Sequence, residues 1–170
     1  KGTGEGGDIL HRAGVKGAGS WTSQYGSPAN TSSREAALVT GAMTIGWFVR
    51  PGHSPMRDRA AGHPAPLSAG GLMYVQGDDR IFGMDAYNGS ILWTVEIPDL
   101  IRTNVKADST NMICDDKRLY VAVADSCWVI EGATGDVLRK LPVPTATDPR
   151  FGDAKRVWGY LALSEGAFVG

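Results

Sequence analysis

The sequence repeats itself at an interval of 46 residues, and this repeat restricts the possible fold more than any other feature. Residues 68–98 align without gaps on residues 114–144. Within them, Leu72–Val75 falls on Arg118–Val121. An interval of about 40–50 residues is typical of solenoids and propellers, in which every repeat is one structural unit.

The repeat extends beyond these two copies. The same offset carries Ile45–Val49 onto Ile91–Val95, and Gly166–Val169 resembles Arg118–Val121 at an offset of 48. We expect a flexible, glycine-rich lead-in over residues 1–20, followed by a partial propeller over residues 21–170. Its predicted blade units are residues 21–52, 64–98, 110–144 and an incomplete unit, 158–170.

The content of each unit distinguishes a propeller from a solenoid. Helical spacing of apolar residues is absent, which excludes arrays of helical repeats. Two turn sequences, Gly77-Asp78-Asp79 and Tyr87-Asn88-Gly89, separate short apolar runs. Four antiparallel strands per repeat make one propeller blade, so we predict an all-β propeller segment of about three blades. The strands predicted for the first complete unit are Ala65–Ser68, Leu72–Gln76, Arg80–Asp85 and Ile91–Ile97.

Composition supports this prediction and excludes several classes of function. The 23 glycines are about twice the roughly 12 that average usage would give, which favours many turns. A net charge of −1 provides no general attraction for nucleic acid or an anionic membrane surface. No apolar run approaches the roughly 18 residues of a membrane span. The pattern Gly2-x-Gly4-x-x-Gly7 is interpreted as a glycine-rich loop, because no strand precedes it.

Asp85–Trp93, with the sequence DAYNGSILW, resembles the tryptophan-docking motif of the PQQ-dehydrogenase-like propeller repeat. The second copy, Glu131–Arg139, keeps Thr-Gly but has Arg139 at the tryptophan position. Trp47 resembles the docking tryptophan of an earlier, incomplete blade, and Trp21–Thr31 resembles a stretch that precedes a blade-closing strand. The resemblance implies that each indole packs on the neighbouring blade, so the junction after Arg139 is predicted to be the weaker one.

The resemblance also implies a location for a binding site. In this family the loops between successive blades face one side of the propeller, where the enzymes hold their cofactor. Here those loops are residues 51–64, 99–111 and 145–157, and they contain 7 of the 17 basic residues. An anionic ligand such as PQQ, a tricarboxylate, would suit them. The candidate residues are Arg57, Arg59, His63, Arg102 and Arg156. Aspartates in the same loops leave the alternative of ordinary solvated charge open.

Catalytic signatures of the family are missing from this segment. The vicinal Cys-Cys pair of the quinoprotein enzymes is absent, and Cys114 and Cys127 are predicted to be buried on the first and third strands of one blade. Paired aspartates, Asp78-Asp79 and Asp115-Asp116, are predicted to form turns. His53 and His63 match no standard zinc spacing, so no metal site is predicted. We expect no cofactor in this segment, with PQQ and calcium expected only if the full protein is an enzyme.

The sequence is consistent with three functions. The first is a non-catalytic ligand- or protein-binding propeller of bacterial extracytoplasmic type. The second is a fragment of a PQQ-dependent alcohol or sugar dehydrogenase, and the third is a domain attached to another kind of enzyme. Because about three blades cannot close a ring, the expected partners are further propeller blades or another copy of the chain, in addition to a protein or small anionic ligand. Nucleic acid and a membrane span are not expected.

Overall fold

The computed structural model describes residues 15–33, 37, 41–42, 44–47, 64–100, 111–144, 152 and 157–170, and these residues contain strands and turns but no helix. Two four-stranded antiparallel sheets and a two-stranded hairpin follow one another along the chain. The first blade comprises β1 (Leu67–Ala69), β2 (Leu72–Gly77), β3 (Arg80–Asp85) and β4 (Ile91–Glu96). The second comprises β5 (Met112–Cys114), β6 (Arg118–Val123), β7 (Ser126–Glu131) and β8 (Val137–Pro142), and the hairpin is β9 (Ala162–Ser164) with β10 (Ala167–Val169).

The two blades reproduce one another in register as well as in strand order. In each sheet the strands pair in sequence order. Leu67 pairs with Tyr74 in the first blade, and Ile113 pairs with Tyr120 in the second, 46 residues later. Both blades also have a register shift at the same repeat position, between Gly83 and Met84 and between Val129 and Ile130. The predicted all-β propeller segment is confirmed.

The strand bounds differ from the prediction by one or two residues in three of the four strands, and β2 ends at Gly77 and not at Gln76. The first strand is Leu67–Ala69 and not Ala65–Ser68, because the Ala65 N–H donates to the Gln24 side chain at 2.7 Å and is not available to a neighbouring strand. The fourth strand ends at Glu96, one residue early, because the Ile97 N–H donates to the carbonyl of Asp79 in the turn between β2 and β3.

Each blade has two distinct ends. The turns β1–β2 and β3–β4 meet at one end, where the Ala86 N–H donates to the Gly71 carbonyl at 3.0 Å. The β2–β3 turn lies at the other end, beside the connection between blades, because the Asp79 N–H donates to the Leu100 carbonyl at 2.8 Å. We call the first end the turn face and the second the loop face.

Trp93 on β4 joins the first blade to the second. Its indole N–H donates to the carbonyl of Gly132 at 2.8 Å, and its ring is 9% exposed. The ring lies against two glycines, since a Cβ at Gly83 would come within 2.0 Å of it and a Cβ at Gly135 within 2.8 Å. Tyr74 packs beside it, with ring centroids 6.0 Å apart. The implied docking of the tryptophan on the next blade is therefore observed.

Trp47 makes the equivalent contact one repeat earlier. Its indole N–H donates to the carbonyl of Ala86 at 3.1 Å, and Ala86 precedes Gly132 by 46 residues. The equivalent position on β8 is not a tryptophan, and its partner on β7 is not a glycine. Arg139 pairs with Val129, which occupies the position of Gly83, and any side chain at the Gly83 position would clash with a docked indole.

The junction between the second blade and the β9–β10 hairpin uses other aromatic residues. Phe168 on β10 stacks on Tyr120 with ring centroids 5.5 Å apart, and Trp158 packs edge-on against Phe168 at 5.3 Å. The Trp158 indole N–H donates to the Leu141 carbonyl at 3.2 Å. An indole still connects these two units, but it comes from the third unit and not from β8. That this junction is the weaker one stays a prediction.

The segment before the first blade lies along the inner strands. Trp21 and Ser68 exchange two backbone hydrogen bonds, of 2.6 and 2.8 Å, at the free edge of β1. The Cys114 N–H on β5 donates to the Thr22 carbonyl at 2.9 Å. Because Ser68 and Cys114 are separated by one repeat, successive residues of this segment contact the same position of successive blades.

Replacing Trp93 with alanine tests the docking contact. We expect the free energy of unfolding to fall by about 3–5 kcal/mol, because a large buried ring and its hydrogen bond are lost together. Urea unfolding followed by circular dichroism measures the change. Arg139→Ala is the matched control at the equivalent position and is expected to change stability by about 0.5 kcal/mol or less. Equal losses for the two variants would contradict the docking interpretation.

Candidate functional site

The five candidate residues from the sequence lie in the connections between blades. Arg57, Arg59, His63, Arg102 and Arg156 are all outside the described residues, so their assignment to an anionic site stays a prediction. The structure instead describes the strands from which these connections begin and end. Those strands determine where a ligand at the loop face would lie.

The inner strands of the three units are adjacent. Strand β1 contacts β5, and β5 contacts β9. Each inner strand begins at the loop face, because its far end leads into a turn at the turn face. The connections that precede these strands therefore end side by side at the loop face, which is the convergence that a shared binding site needs.

A buried pair of side-chain amides lies at this face, across the junction of the first two blades. Gln76 is the next-to-last residue of β2, and Asn111 directly precedes β5. The Asn111 Nδ2 donates to the Gln76 Oε1 at 2.9 Å, and the two residues are 8% and 3% exposed. The Gln76 Nε2 and the Asn111 Oδ1 are buried and have no hydrogen-bond partner among the described residues. One donor and one acceptor are thus left free in the same pair.

A second candidate location is a cleft of about 580 Å³ at the turn face. Its walls are the segment 15–20, the β1–β2 turn and the turn that follows β5. The Tyr87 hydroxyl accepts a hydrogen bond from the Val15 N–H at 3.0 Å and so joins the cleft's rim to the first blade. Asp116 and Lys117 provide its charged groups, which are exposed to solvent. Two exposed opposite charges side by side carry little binding energy.

Both cysteines are buried in the second blade, Cys114 on β5 and Cys127 on β7, and both are free thiols. Strand β6 separates them, as the sequence predicted. Burial raises the pKa of the Cys127 thiol to about 12, and burial together with the nearby Asp115 carboxylate raises the pKa of the Cys114 thiol. Neither thiol is ionised near neutral pH, so neither is suited to act as a nucleophile.

The paired aspartates form turns, as predicted. The Asp115 carboxylate accepts hydrogen bonds from the N–H groups of Lys117 and Arg118, each at 2.7 Å, and from the Tyr120 hydroxyl at 3.1 Å. Asp78 and Asp79 form the turn between β2 and β3. Across the described ranges, no group of three or more His, Cys, Asp or Glu side chains could hold a metal ion.

Sequence reasoning missed the Gln76–Asn111 pair, although one signal was present. Gln76 lies two residues after Tyr74, on the same face of β2, and that face packs against the second blade. The residue 46 positions later is Ala122. A glutamine at a core position that the next repeat fills with alanine is the kind of local exception that marks a functional residue.

Comparisons with known proteins support the fold alone. No family model matches the sequence, and no curated protein matches it. A quinohemoprotein alcohol dehydrogenase from Comamonas testosteroni superposes with a TM-score of 0.56 at 15% identity, covering 88% of this chain and 22% of that one. BamB from Moraxella catarrhalis superposes with a TM-score of 0.43 at 15% identity, covering 89% of this chain and 43% of that one.

This chain has the fold of a PQQ-like β-propeller. It spans less than half of the length of either solved structure, so it corresponds to only some of their blades. Within the part of the chain that the structure describes, no helix is long and apolar enough to cross a membrane.

The raised pKa values of the two buried thiols predict that the stability of the fold depends on pH. Because burial raises their pKa in the folded state, the folded state retains protons that the unfolded state loses above about pH 8.5. Stability is therefore expected to fall between about pH 9 and 12, by about 1.4 kcal/mol per pH unit for each thiol. Urea unfolding at several pH values measures the slope. In Cys114→Ala/Cys127→Ala the slope should be shallower, and an unchanged slope would contradict burial of the thiols.

Proposed function

We propose that this chain is part of a non-catalytic propeller whose loop face binds a small anionic ligand or an acidic segment of a protein partner. The observation that carries the proposal is the adjacency of the inner strands β1, β5 and β9, which brings the ends of the interblade connections together. Seven of the 17 basic residues lie in those connections. Cationic side chains that converge on one axis attract anionic groups more strongly than isolated ones do.

A binding function also fits the chemistry of the described blades. The thiols are buried and protonated, and Asp115 is engaged by the hydrogen bonds of a turn. Apart from the Gln76–Asn111 pair, these side chains serve packing and turn formation, and the loops are left to contact a ligand. Rigid blades that present variable loops are a common arrangement for binding sites.

The alternative function is that of a PQQ-dependent dehydrogenase, which the fold likeness to the quinohemoprotein alcohol dehydrogenase favours. PQQ is a tricarboxylate and needs several hydrogen-bond donors or cations. The described polar pair at the loop face, Gln76 and Asn111, offers one free donor and one free acceptor, both neutral. These described residues do not fit PQQ by themselves, so the dehydrogenase function requires the basic loops or other blades to supply the site.

The proposal includes the partners and the location that the family resemblance implies. About three blades leave a ring open, so we infer that further blades or another copy of the chain complete it. We also propose an extracytoplasmic bacterial location. Fractionation of the native host, with detection of this chain, tests the location, and recovery in the cytoplasmic fraction would contradict it.

Replacing Arg57 and Arg59 with alanine tests the anionic site. In a titration of the full chain with acetate and with PQQ plus calcium, we expect the double variant to bind about a hundredfold or more weakly than the wild type, since each of the two lost charged hydrogen bonds contributes about 1.5–3 kcal/mol. Lys117→Ala, at the turn face, is the matched control and should bind normally. Unchanged binding in the Arg57 and Arg59 double variant would refute the proposed site, and tight calcium-dependent binding of PQQ would favour the dehydrogenase.

A further inference from the structure

We propose that the Gln76–Asn111 pair recognises a neutral ligand group that both donates and accepts a hydrogen bond, such as a hydroxyl or an amide. The inference deepens the proposed function, because it rests on the loop face being the ligand-binding face. It adds two residues to that face and a second requirement for the ligand. The ligand would carry this neutral group in addition to its anionic one.

The pair has hydrogen-bonding capacity that its own contact does not use. Asn111 and Gln76 use one donor and one acceptor on each other at 2.9 Å. Within the part of the chain that the structure describes, the Gln76 Nε2 and the Asn111 Oδ1 remain unpartnered, although the residues are only 3% and 8% exposed. A buried polar group without a partner is unfavourable, and native proteins contain few of them without a bound group or a function to explain them.

The next junction of the repeat contains no such pair. The residue that follows Gln76 by 46 positions is Ala122, and the residue that directly precedes β9, as Asn111 precedes β5, is the buried Leu161. Neither of these side chains contains a polar atom. The next junction of the same fold therefore forms without an amide pair, so packing of the blades does not require Gln76 and Asn111.

Gln76 and Asn111 both lie at the loop face. Gln76 precedes the turn between β2 and β3, and Asn111 is the last residue before the inner strand β5. The backbone carbonyl of Asn111 accepts a hydrogen bond from the Ala122 N–H at 2.7 Å, and this bond holds Asn111 against the second blade. The pair thus lies where the connection between the first two blades reaches the inner strands, with each amide fixed by a different blade.

The chemistry of the pair defines the ligand class. Its free groups are one neutral N–H donor and one neutral carbonyl acceptor. A carboxylate could satisfy only the donor, and an ammonium group could satisfy only the acceptor. A hydroxyl or an amide can satisfy both, so these two groups share the chemistry that the pair selects.

The test uses the full chain, labelled with nitrogen-15, and three probes: N-methylacetamide for an amide, glycerol for a hydroxyl and acetate for a charged group. We expect at least one neutral probe to shift the side-chain NH₂ signals of Gln76 and Asn111 saturably. Acetate is expected to bind at the basic loops and to cause no saturable shift of the Gln76 and Asn111 NH₂ signals. The neutral probe that binds distinguishes the amide from the hydroxyl as the natural group.

The variant Gln76→Met/Asn111→Leu conserves volume and removes both amides. We expect it to bind the neutral probe about tenfold or more weakly, through the loss of two hydrogen bonds. Its Tm is expected to be no lower than that of the wild type, because removing both partners of a buried pair leaves nothing unpaired. Its binding of acetate should be unchanged.

The inference is overturned if neither neutral probe shifts the NH₂ signals saturably, or if the double variant binds the probes as well as the wild type does. A strong water-to-NH₂ cross-relaxation signal in that case would assign the pair to a buried water. If acetate fails to bind while a neutral probe binds at the pair, the proposed anionic function fails and the amide site remains. A large fall in the Tm of the double variant would assign the pair a structural role.

Discussion

The fold depends on one contact that repeats along the chain, an indole of one blade docked on a turn of the next. Trp93 makes it most completely, since its ring lies between Gly83 and Gly135 and its N–H donates to the Gly132 carbonyl at 2.8 Å. The apolar ring supplies most of the buried area, and the N–H fixes its direction. A flat blade has two apolar faces and cannot bury both alone, so such junctions determine whether the repeats form one structure.

The same contact explains why the repeats are unequal. A tryptophan needs a residue without a side chain opposite it, and Gly83 satisfies this need in the first blade. In the second blade Val129 and Arg139 occupy the two positions together. The loss of the tryptophan and the loss of the glycine therefore occur together. At the next junction Trp158 and Phe168 supply the aromatic surface instead.

Local patterns were sufficient to predict the strands and turns of the two complete blades. The alternation of apolar residues and the Gly and Asp turns act over a few residues, so β2 and β3 were placed to within one residue. The first strand was misplaced because Ala65 bonds to Gln24, 41 residues away, and the Gln76–Asn111 pair was missed because its members lie 35 residues apart. Contacts between residues this far apart in the chain produce no periodic pattern in the sequence. The predicted basic site lies outside the described residues and stays a prediction.

Docked indoles hold successive blades together, and hydrogen exchange at the indole N–H groups measures how firmly they do so. The Trp93 Nε1–H is expected to exchange as slowly as the buried backbone amides of β6 and β7, because exchange requires the junction to open. The indole N–H of Trp128 has no acceptor among the described residues and should exchange much faster. Equally fast exchange of the Trp93 and Trp128 indoles, while the backbone amides remain protected, would show that the docked indole does not hold the junction closed.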